Sequence, residues 1–467
     1  MSPIDDSRSS NENKETYKIA QDLISDMNEQ NNTEENTSSG KRNESRLYSG
    51  LWGVLIVLLL RLVVGGVFAF SGFVKAIDPW GSVYKFGEYL SVFGFENFEW
   101  ILLFLAVALA TAEFMLGVFV LLGLYRRFAP AMLLVVMAVM IPLTGYLAIT
   151  DKVVDCGCFG DAITLGNTAT FVKNLLLLPA ILYLCAFNHR VKNVYGFAVQ
   201  WIVAFLTMAY AMAVAFAGYY YQPMLDFRPY PVGSRLVQPA TNVNEGDNFV
   251  FIYEKNGERA SFSIDSLPDD SWTFVDRVLK PGVKSSYTAS EGLLLTTIAG
   301  EPVDSVIMAS GEQLLFVFPD MAKVGISYTY LINEIYDYAQ SHGVGVVGLT
   351  SATAEEVAEW NDLSMASYKL YNVDDSELKM LARGNPAVVY LKDGIVEWKR
   401  TLQSISMDLI TSNSEIEDVA SDFNSSKWLS WLTSTYAIAM ILLLIVNRTH
   451  LLLKIRIKSN NKKKNKA

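Results

Sequence analysis

Only three cysteines and three histidines occur in 467 residues, and charged residues make up just 18% of the chain. A soluble domain usually carries about 25% charged residues, so the shortfall points to a large membrane-buried share. Three cysteines are too few for a disulfide-dense scaffold, and the 30 glycines are too few for a collagen-like chain. Aromatic residues reach 12%, which excludes a wholly disordered protein. Basic residues are also in deficit: the net charge is -10, which argues against a nucleic-acid binder. His189, His342 and His450 lie far apart in sequence, and no nucleophile triad, phosphate loop or His-rich metal cluster is present to support such chemistry.

What the sequence does have is long apolar runs, at Leu51–Val74, Ile101–Leu124, Phe128–Ile149, Phe171–Phe187, Val194–Ala217 and Trp428–Val446. Each is close to the length a helix needs to cross a hydrocarbon layer about 30 Å thick. Pro130, Pro142 and Pro179 lie near the ends of these runs or inside them, where neighbouring helices tolerate them. Residues 1–46 are polar and are expected to form a disordered tail, with one short docking helix permitted over Tyr17–Met27. The long hydrophilic tail also argues against a cleaved signal peptide at the first run.

Basic residues orient the spans. Lys41, Arg42, Arg46, Arg126, Arg127, Arg190 and Lys192 all fall on one side together with the lysine-rich end of the chain if both termini are cytoplasmic. That topology places residues 75–100, 150–170 and 218–427 outside. The acidity of the chain resides in the last of these, which holds 15 bases against 30 acids, whereas residues 448–467 hold eight bases and no acid.

Arg61 and Glu113 fall at similar depths in the first two spans and are expected to meet, because an isolated charge in lipid costs several kcal/mol. Such a pair is either a structural tie or a headgroup, quinone or proton site. Lys75 and Lys173 fall at the outer boundary, where snorkelling accounts for them. The sharpest motif is Asp155-Cys156-Gly157-Cys158-Phe159-Gly160 in the second outer loop. Outside the cytoplasm two adjacent thiols tend to oxidise. A Cys-Gly-Cys ring is small, the glycine supplies its backbone angles, and its strain makes it easier to reduce. Asp155 beside the thiols opposes thiolate formation but could accept a proton. The pair reads as a redox centre, as a static staple or, less well, as part of a metal site, since two sulfurs make a poor zinc site. Cys185 reads as a packed thiol.

Arg61-Leu-Val-Val-Gly65-Gly66, followed by Phe70-Ser71-Gly72-Phe73-Val74-Lys75 and Asp78-Pro79, resembles the first helix of the DoxX/MauE membrane family. Glu113 with Gly117 and Leu121-Leu122-Gly123-Leu124 resembles the second helix, and the cysteine motif is similar to that of the MauE branch, the methylamine-utilisation proteins. The resemblance covers about residues 50–187. It implies a four-helix bundle (residues 47–190) in a bacterial inner membrane, with membrane redox chemistry or disulfide maturation. Under it Cys156 and Cys158 are the catalytic candidates, Arg61, Glu113 and Lys75 the candidates for holding a membrane quinone, and Asp155 a partner-binding candidate. A fifth span (191–217) and a sixth (428–447) flank the periplasmic segment.

Within that segment, residues 218–310 read as a β-rich extension, with strands over Asn248–Tyr253 and Ala260–Ile264 joined at Asn256-Gly257. Residues 311–427 alternate strand and helix: Gln313–Phe318, Met321–His342, Val344–Leu349, Thr353–Leu363, Tyr368–Val373 and Ser376–Arg383. A hairpin then turns at Asp393-Gly394. This order resembles a thioredoxin-like α/β fold, and Pro386 stands where such proteins carry a cis-proline, which makes it a partner-binding candidate; a trans turn proline is the alternative. Where an active Cys-x-x-Cys would stand, Phe318–Gly325 contains no cysteine, so this unit cannot exchange dithiols itself. Two functions therefore stand open: a thiol–disulfide or quinone-linked redox protein acting on extracytoplasmic thiol proteins, or a non-enzymatic membrane scaffold that binds clients through a redox-inactive domain.

Overall fold

The computed structural model describes residues 51–92, 99–150, 157–236, 249–255, 258–262, 273–279, 293, 295–303, 306–406, 408, 415–416 and 423–464. The N-terminal tail, its Tyr17–Met27 segment, Asp155 and Cys156 lie outside the described residues. The chain divides into two compact units, one formed by residues up to Ala215 and from Lys427 onward, the other by Phe216–Ser426.

The first unit is helical: α1 (Leu51–Ile77), α2 (Pro79–Val92), α3 (Glu99–Leu122), α4 (Phe128–Thr150), α5 (Asn167–Phe187), α6 (Gln200–Tyr220) and, at the end of the chain, α10 (Ser425–Lys464). All but α2 are long and apolar enough to cross a membrane. The segment 75–100, placed outside the membrane by the basic residues, contains α2, started by Asp78, whose Oδ1 accepts from the Gly81 amide at 3.0 Å. Asp78 with Pro79 behind it is a strong helix start, because the carboxylate caps a free amide and proline needs none.

Helices α1 and α3 pack with their backbones almost touching. A Cβ on Gly72 would overlap the Phe114 amide nitrogen, and one on Gly117 would overlap the backbone of Ala69. Small residues at this spacing are what membrane helices use to approach closely when no hydrophobic gradient drives them together. The helices run antiparallel, so Gly72 lies level with Phe114, Gly65 with Leu121 and Arg61 with Gly123. Helix α10 joins this unit through Tyr436, stacked on Tyr210 at 4.6 Å, and through the Tyr195 hydroxyl, which donates to the Met440 carbonyl at 2.8 Å.

The second unit holds two sheets. Strands β1 (Phe249–Lys255), β2 (Glu258–Phe262) and β3 (Thr273–Leu279) form an antiparallel sheet in the order β2-β1-β3. The larger sheet has the order β6-β5-β4-β7-β8, from β4 (Glu312–Phe318), β5 (Gly345–Thr350), β6 (Lys369–Asn372), β7 (Ala387–Lys392) and β8 (Ile395–Thr401). Strands β4, β5 and β6 are parallel, whereas β7 and β8 run antiparallel. Alternation along β4 splits the core: Leu314, Phe316 and Phe318 face α7 (Tyr328–Ser341) and α8 (Ala354–Ser364), while Leu315 and Val317 face α9 (Asp375–Leu381). The Asp393-Gly394 turn has positive φ at both residues, 51° and 72°, which matches the twist a tight hairpin requires.

The single helix expected over Met321–His342 is interrupted. A 3-10 turn covers Met321–Lys323, and α7 begins only at Tyr328. The break falls at Gly325, where the chain turns with the Tyr328 amide donating to the Gly325 carbonyl at 3.0 Å. The apolar spacing of Met321 and Val324 comes from packing against the sheet, not from helix continuity.

Behind the sheet lies a charged group that the sequence reading did not single out. Asp226 accepts from Arg228 Nε at 2.7 Å and from Lys399 Nζ at 3.0 Å, and all three residues are largely buried. Burial alone would push the Asp226 carboxyl up, but the charges of Arg228 and Lys399 and their hydrogen bonds prevail and hold it below its ordinary value. Lys399 has the opposite balance: burial and then the charge of Arg228 outweigh the help of Asp226 and bring it from 10.5 down to about 8.

Two outcomes follow. In the full chain in detergent, Gly72→Ala should lower the unfolding midpoint by the equivalent of about 1–3 kcal/mol or more, as overpacking does. Gly66→Ala, where a Cβ meets nothing within 4 Å, should not. In the second unit, the unfolded chain holds the Lys399 proton between about pH 8 and 10.5 while the folded chain does not, so stability should rise with pH across that window. The difference between wild type and Lys399→Met, followed by thermal melts at pH 8 to 10, isolates this contribution. On the acid side the Asp226 stabilisation should fade once the pH drops below 3.8.

Candidate functional site

Glu113 and Lys75 meet in the interior of the first unit. Lys75 Nζ donates to Glu113 Oε1 at 2.8 Å and to Oε2 at 2.7 Å, and the two side chains are only 7% and 3% exposed. Ser71 precedes Lys75 by one helical turn and so lies on the same face of α1. Its hydroxyl reaches Glu113 Oε2 at 2.8 Å and the Cys158 carbonyl at 2.6 Å. A charged pair in an apolar bundle is thus joined by one side chain to the backbone of the cysteine motif.

The described part of the motif, residues 157–160, forms a tight turn. Gly157 and Gly160 have φ of 62° and 51°, and the Gly160 amide donates to the Gly157 carbonyl at 3.1 Å. Both values lie in the left-handed region that glycine enters without a Cβ penalty. Cys158 is buried in a small apolar cluster with Leu147 of α4 and, around it, Tyr89 of α2 and Met140 and Leu143 of α4. Phe159 is anchored between Phe70, 5.8 Å away by ring centre, and Lys173, whose Nζ lies 4.2 Å from the ring centre. Lys173 therefore has a specific cation–π contact beyond the snorkelling expected of it.

Arg61 does not meet Glu113. The antiparallel register puts it ten residues away along α1 from Ser71, about 15 Å at 1.5 Å per residue. Its Nε donates to Asn188 Oδ1 at 2.7 Å, and its Nη2 donates to the carbonyls of Asn188 at 3.0 Å and Val191 at 3.1 Å. Arg126 Nη1 joins it on the carbonyls of His189 and Val191. Two guanidinium groups thus cover the turn at the end of α5, where helix carbonyls lack partners and carry partial negative charge. The expected Arg61–Glu113 pair is corrected to Lys75–Glu113. Counting depth from the ends of the apolar runs placed Glu113 too close to the Arg61 level, because α1 and α3 are offset. Ser71 and Asn188 were not foreseen, although a helical wheel of α1 puts Ser71 on the Lys75 face.

In the second unit the Asn385-Pro386 peptide is cis. Asn385 Nδ2 donates to the Asp320 carbonyl at 2.6 Å, so the residue before Pro386 is tied to the cysteine-free loop after β4. Cys185 is half-buried in α5. Among the described residues no three His, Cys, Asp or Glu side chains converge as a metal site would need.

Helices and site together define a multi-pass membrane protein with a helical unit containing a buried ion pair and an appended mixed α/β region. Residues 53–187 match the model of the family described as Methylamine utilisation protein MauE, and residues 248–283 match a Domain of unknown function (DUF8463). The first match takes in α1 to α5 and every residue of the Lys75–Glu113–Ser71–Cys158 group, and the second covers the three-stranded sheet. No curated protein and no solved structure matches the chain.

Removing one partner of a buried pair typically costs about 3–5 kcal/mol, because the other charge is left in an apolar medium. Lys75→Met should therefore sharply reduce the yield of folded protein recovered in detergent. The double variant Lys75→Met/Glu113→Leu should recover much of it, as size-exclusion profiles and unfolding midpoints would report.

Proposed function

We propose that the chain is a membrane thiol–disulfide or quinone-linked redox protein, with Cys156 and Cys158 cycling between dithiol and disulfide on the extracytoplasmic side of a bacterial inner membrane. The observation that carries this reading is the hydrogen bond from Ser71 to the Cys158 carbonyl. It joins the motif's second cysteine to a buried ion pair, which a mere surface staple would not need. The likeness of residues 53–187 to the MauE family supports the same reading. The positions of Arg126, Arg127, Arg190 and the C-terminal lysines favour cytoplasmic termini.

Oxidation removes two electrons and two protons from the two thiols. They pass to a partner disulfide, giving two thiols, or to a membrane quinone, giving the quinol. Cys158 is buried, and a buried thiol is inert while its loop stays closed, so exchange at Cys158 requires the turn to open locally. In this reading Arg61 is a structural tie, and Lys75 and Glu113 form the buried charged pair that Ser71 joins to the Cys158 carbonyl.

A second reading draws on the other unit. Its strand order, with the parallel strands β5 and β6 on one side of β4 and the antiparallel hairpin β7–β8 on the other, supports a thioredoxin-like fold. The loop after β4 lacks the cysteines such chemistry needs, and the exposed Ile326 and Tyr330 follow it. Under this reading the unit binds extracytoplasmic clients without reacting with them, either for the cysteine pair or as part of a scaffold.

Thiol trapping separates the two. In membranes of a Cys185→Ser strain, alkylation with a mass-tagging maleimide should reveal two forms differing by two labels, with proportions that move when growth turns oxidising or reducing. Cys156→Ser and Cys158→Ser should each abolish the interchange. A single unchanging form under every condition would sink the redox reading and leave the scaffold.

A further inference from the structure

At the far end of the same helical unit, Arg61 and Arg126 stand side by side. Arg61 Nη2 and Arg126 Nη1 both donate to the Val191 carbonyl, each at 3.1 Å, so the two nitrogens lie no farther apart than twice that distance. Like charges held this close repel, and burial leaves the repulsion poorly screened. Every group the pair touches is neutral: the carbonyls of Asn188, His189 and Val191 and the Asn188 side-chain oxygen. The stretches that carry these residues supply no carboxylate, since residues 51–77, 114–150 and 162–225 contain no Asp or Glu.

The pair is also built into the fold. Gly123, with φ of 67°, leaves the space that the Arg61 guanidinium fills, and a Cβ there would overlap Arg61 Nη1. The Asn188 side chain is fixed from both sides: its Oδ1 accepts from Arg61 Nε at 2.7 Å, and its Nδ2 donates to the Arg126 carbonyl at 3.0 Å. The Val194 amide donates to the Leu122 carbonyl at 3.1 Å, and the Tyr125 amide to Gln200 Oε1 at 3.3 Å. The turn after α3 and the turn after α5 therefore form one platform.

Each guanidinium carries five N–H groups. Arg61 uses three of them in these contacts and Arg126 two, leaving those on Arg61 Nη1 and on Arg126 Nε and Nη2. Arg126 is half-buried and Arg127 exposed, so a ligand reaches the group from that side. Apolar surface adjoins the charges. Phe128, next to Arg127, is exposed, and so are Leu58 and Leu59, within one turn of Arg61.

We propose that Arg61 and Arg126, with Arg127 beside them, form a binding site for an anionic phosphate group, as an anionic phospholipid or free phosphate presents it. The inference is independent of the redox reading. A phosphate supplies the negative charge that the site lacks, and its oxygens match the planar fork of a guanidinium better than a single carbonyl does. The exposed apolar side chains beside the cations favour the lipid, whose acyl chains need such a wall. Free phosphate has no use for them.

Native mass spectrometry of the delipidated full-length protein in detergent provides the test, with phosphatidylglycerol and phosphatidylcholine offered at equal concentration. Wild type should retain phosphatidylglycerol severalfold over phosphatidylcholine. Arg126→Gln, which leaves Arg61 bonded to Asn188, should lose about fivefold in phosphatidylglycerol retention, the weight of one basic residue near an anionic group. Lys85→Gln removes one charge from α2 instead and should retain as wild type does. If Arg126→Gln does not fold, Arg126→Lys keeps the charge but loses the fork, and should lose about threefold. A second arm offers inorganic phosphate alone and reads the unfolding midpoint. A rise in wild type that disappears in the Arg126 variant, without any preference between the lipids, would assign the site to free phosphate. Equal retention of the two lipids with no response to phosphate would overturn the site, as would undiminished phosphatidylglycerol retention in the folded Arg126 variant.

Discussion

A lysine and a glutamate facing each other inside an apolar helix bundle constrain everything built around them. Two such charges, each removed from water, are tolerated only when they are close and hydrogen-bonded on all sides. Lys75 and Glu113 satisfy this through two contacts within 2.8 Å, and the helices that carry them must hold one register for those contacts to persist. The glycines at 65, 72 and 117 allow that register by letting the backbones touch. Ser71 is placed by the same helix face and extends the charged group to the Cys158 carbonyl. The cysteine turn is thus an extension of the bundle's interior and not a loop hung outside it.

The second unit is organised on different terms. Its sheet is covered on both faces, and its buried charges, Asp226 with Arg228 and Lys399, tie the segment after α6 to β8. The loop after β4 carries Pro319, Asp320 and Met321, and Asn385 ties it from the other side through the Asp320 carbonyl. All three cysteines therefore belong to the helical unit, and the sheet-bearing unit has none.

Much of this was legible in the sequence wherever a pattern is local. Six apolar runs of the right length became six long helices, and Asp393-Gly394 announced its hairpin because few other dipeptides accept two positive φ angles. The cysteine motif and Glu113 also stood out by composition. The partner of Glu113 did not, because pairing between helices depends on an offset that no single run encodes. Arg61 was the natural guess by depth, whereas the actual partner is the lysine at the end of the run, which reads from sequence as a snorkelling residue. Helix α2 was missed since its Pro79–Val92 segment is amphipathic and lies between two much stronger signals. Met321–Val324 misled in the other direction, with core-facing residues imitating a helix that Gly325 ends.

The buried pair, acting through Ser71, holds the turn at Cys158 from inside the bundle. The most direct measurement is the alkylation rate of Cys158 in the reduced full-length protein, in a Cys156→Ser/Cys185→Ser background, compared with the same protein carrying Ser71→Ala. A turn held from within the bundle predicts slow labelling that speeds up about tenfold or more when the hydroxyl is removed, the release of roughly 1.4 kcal/mol of local stability. Equal rates in the two proteins would contradict it.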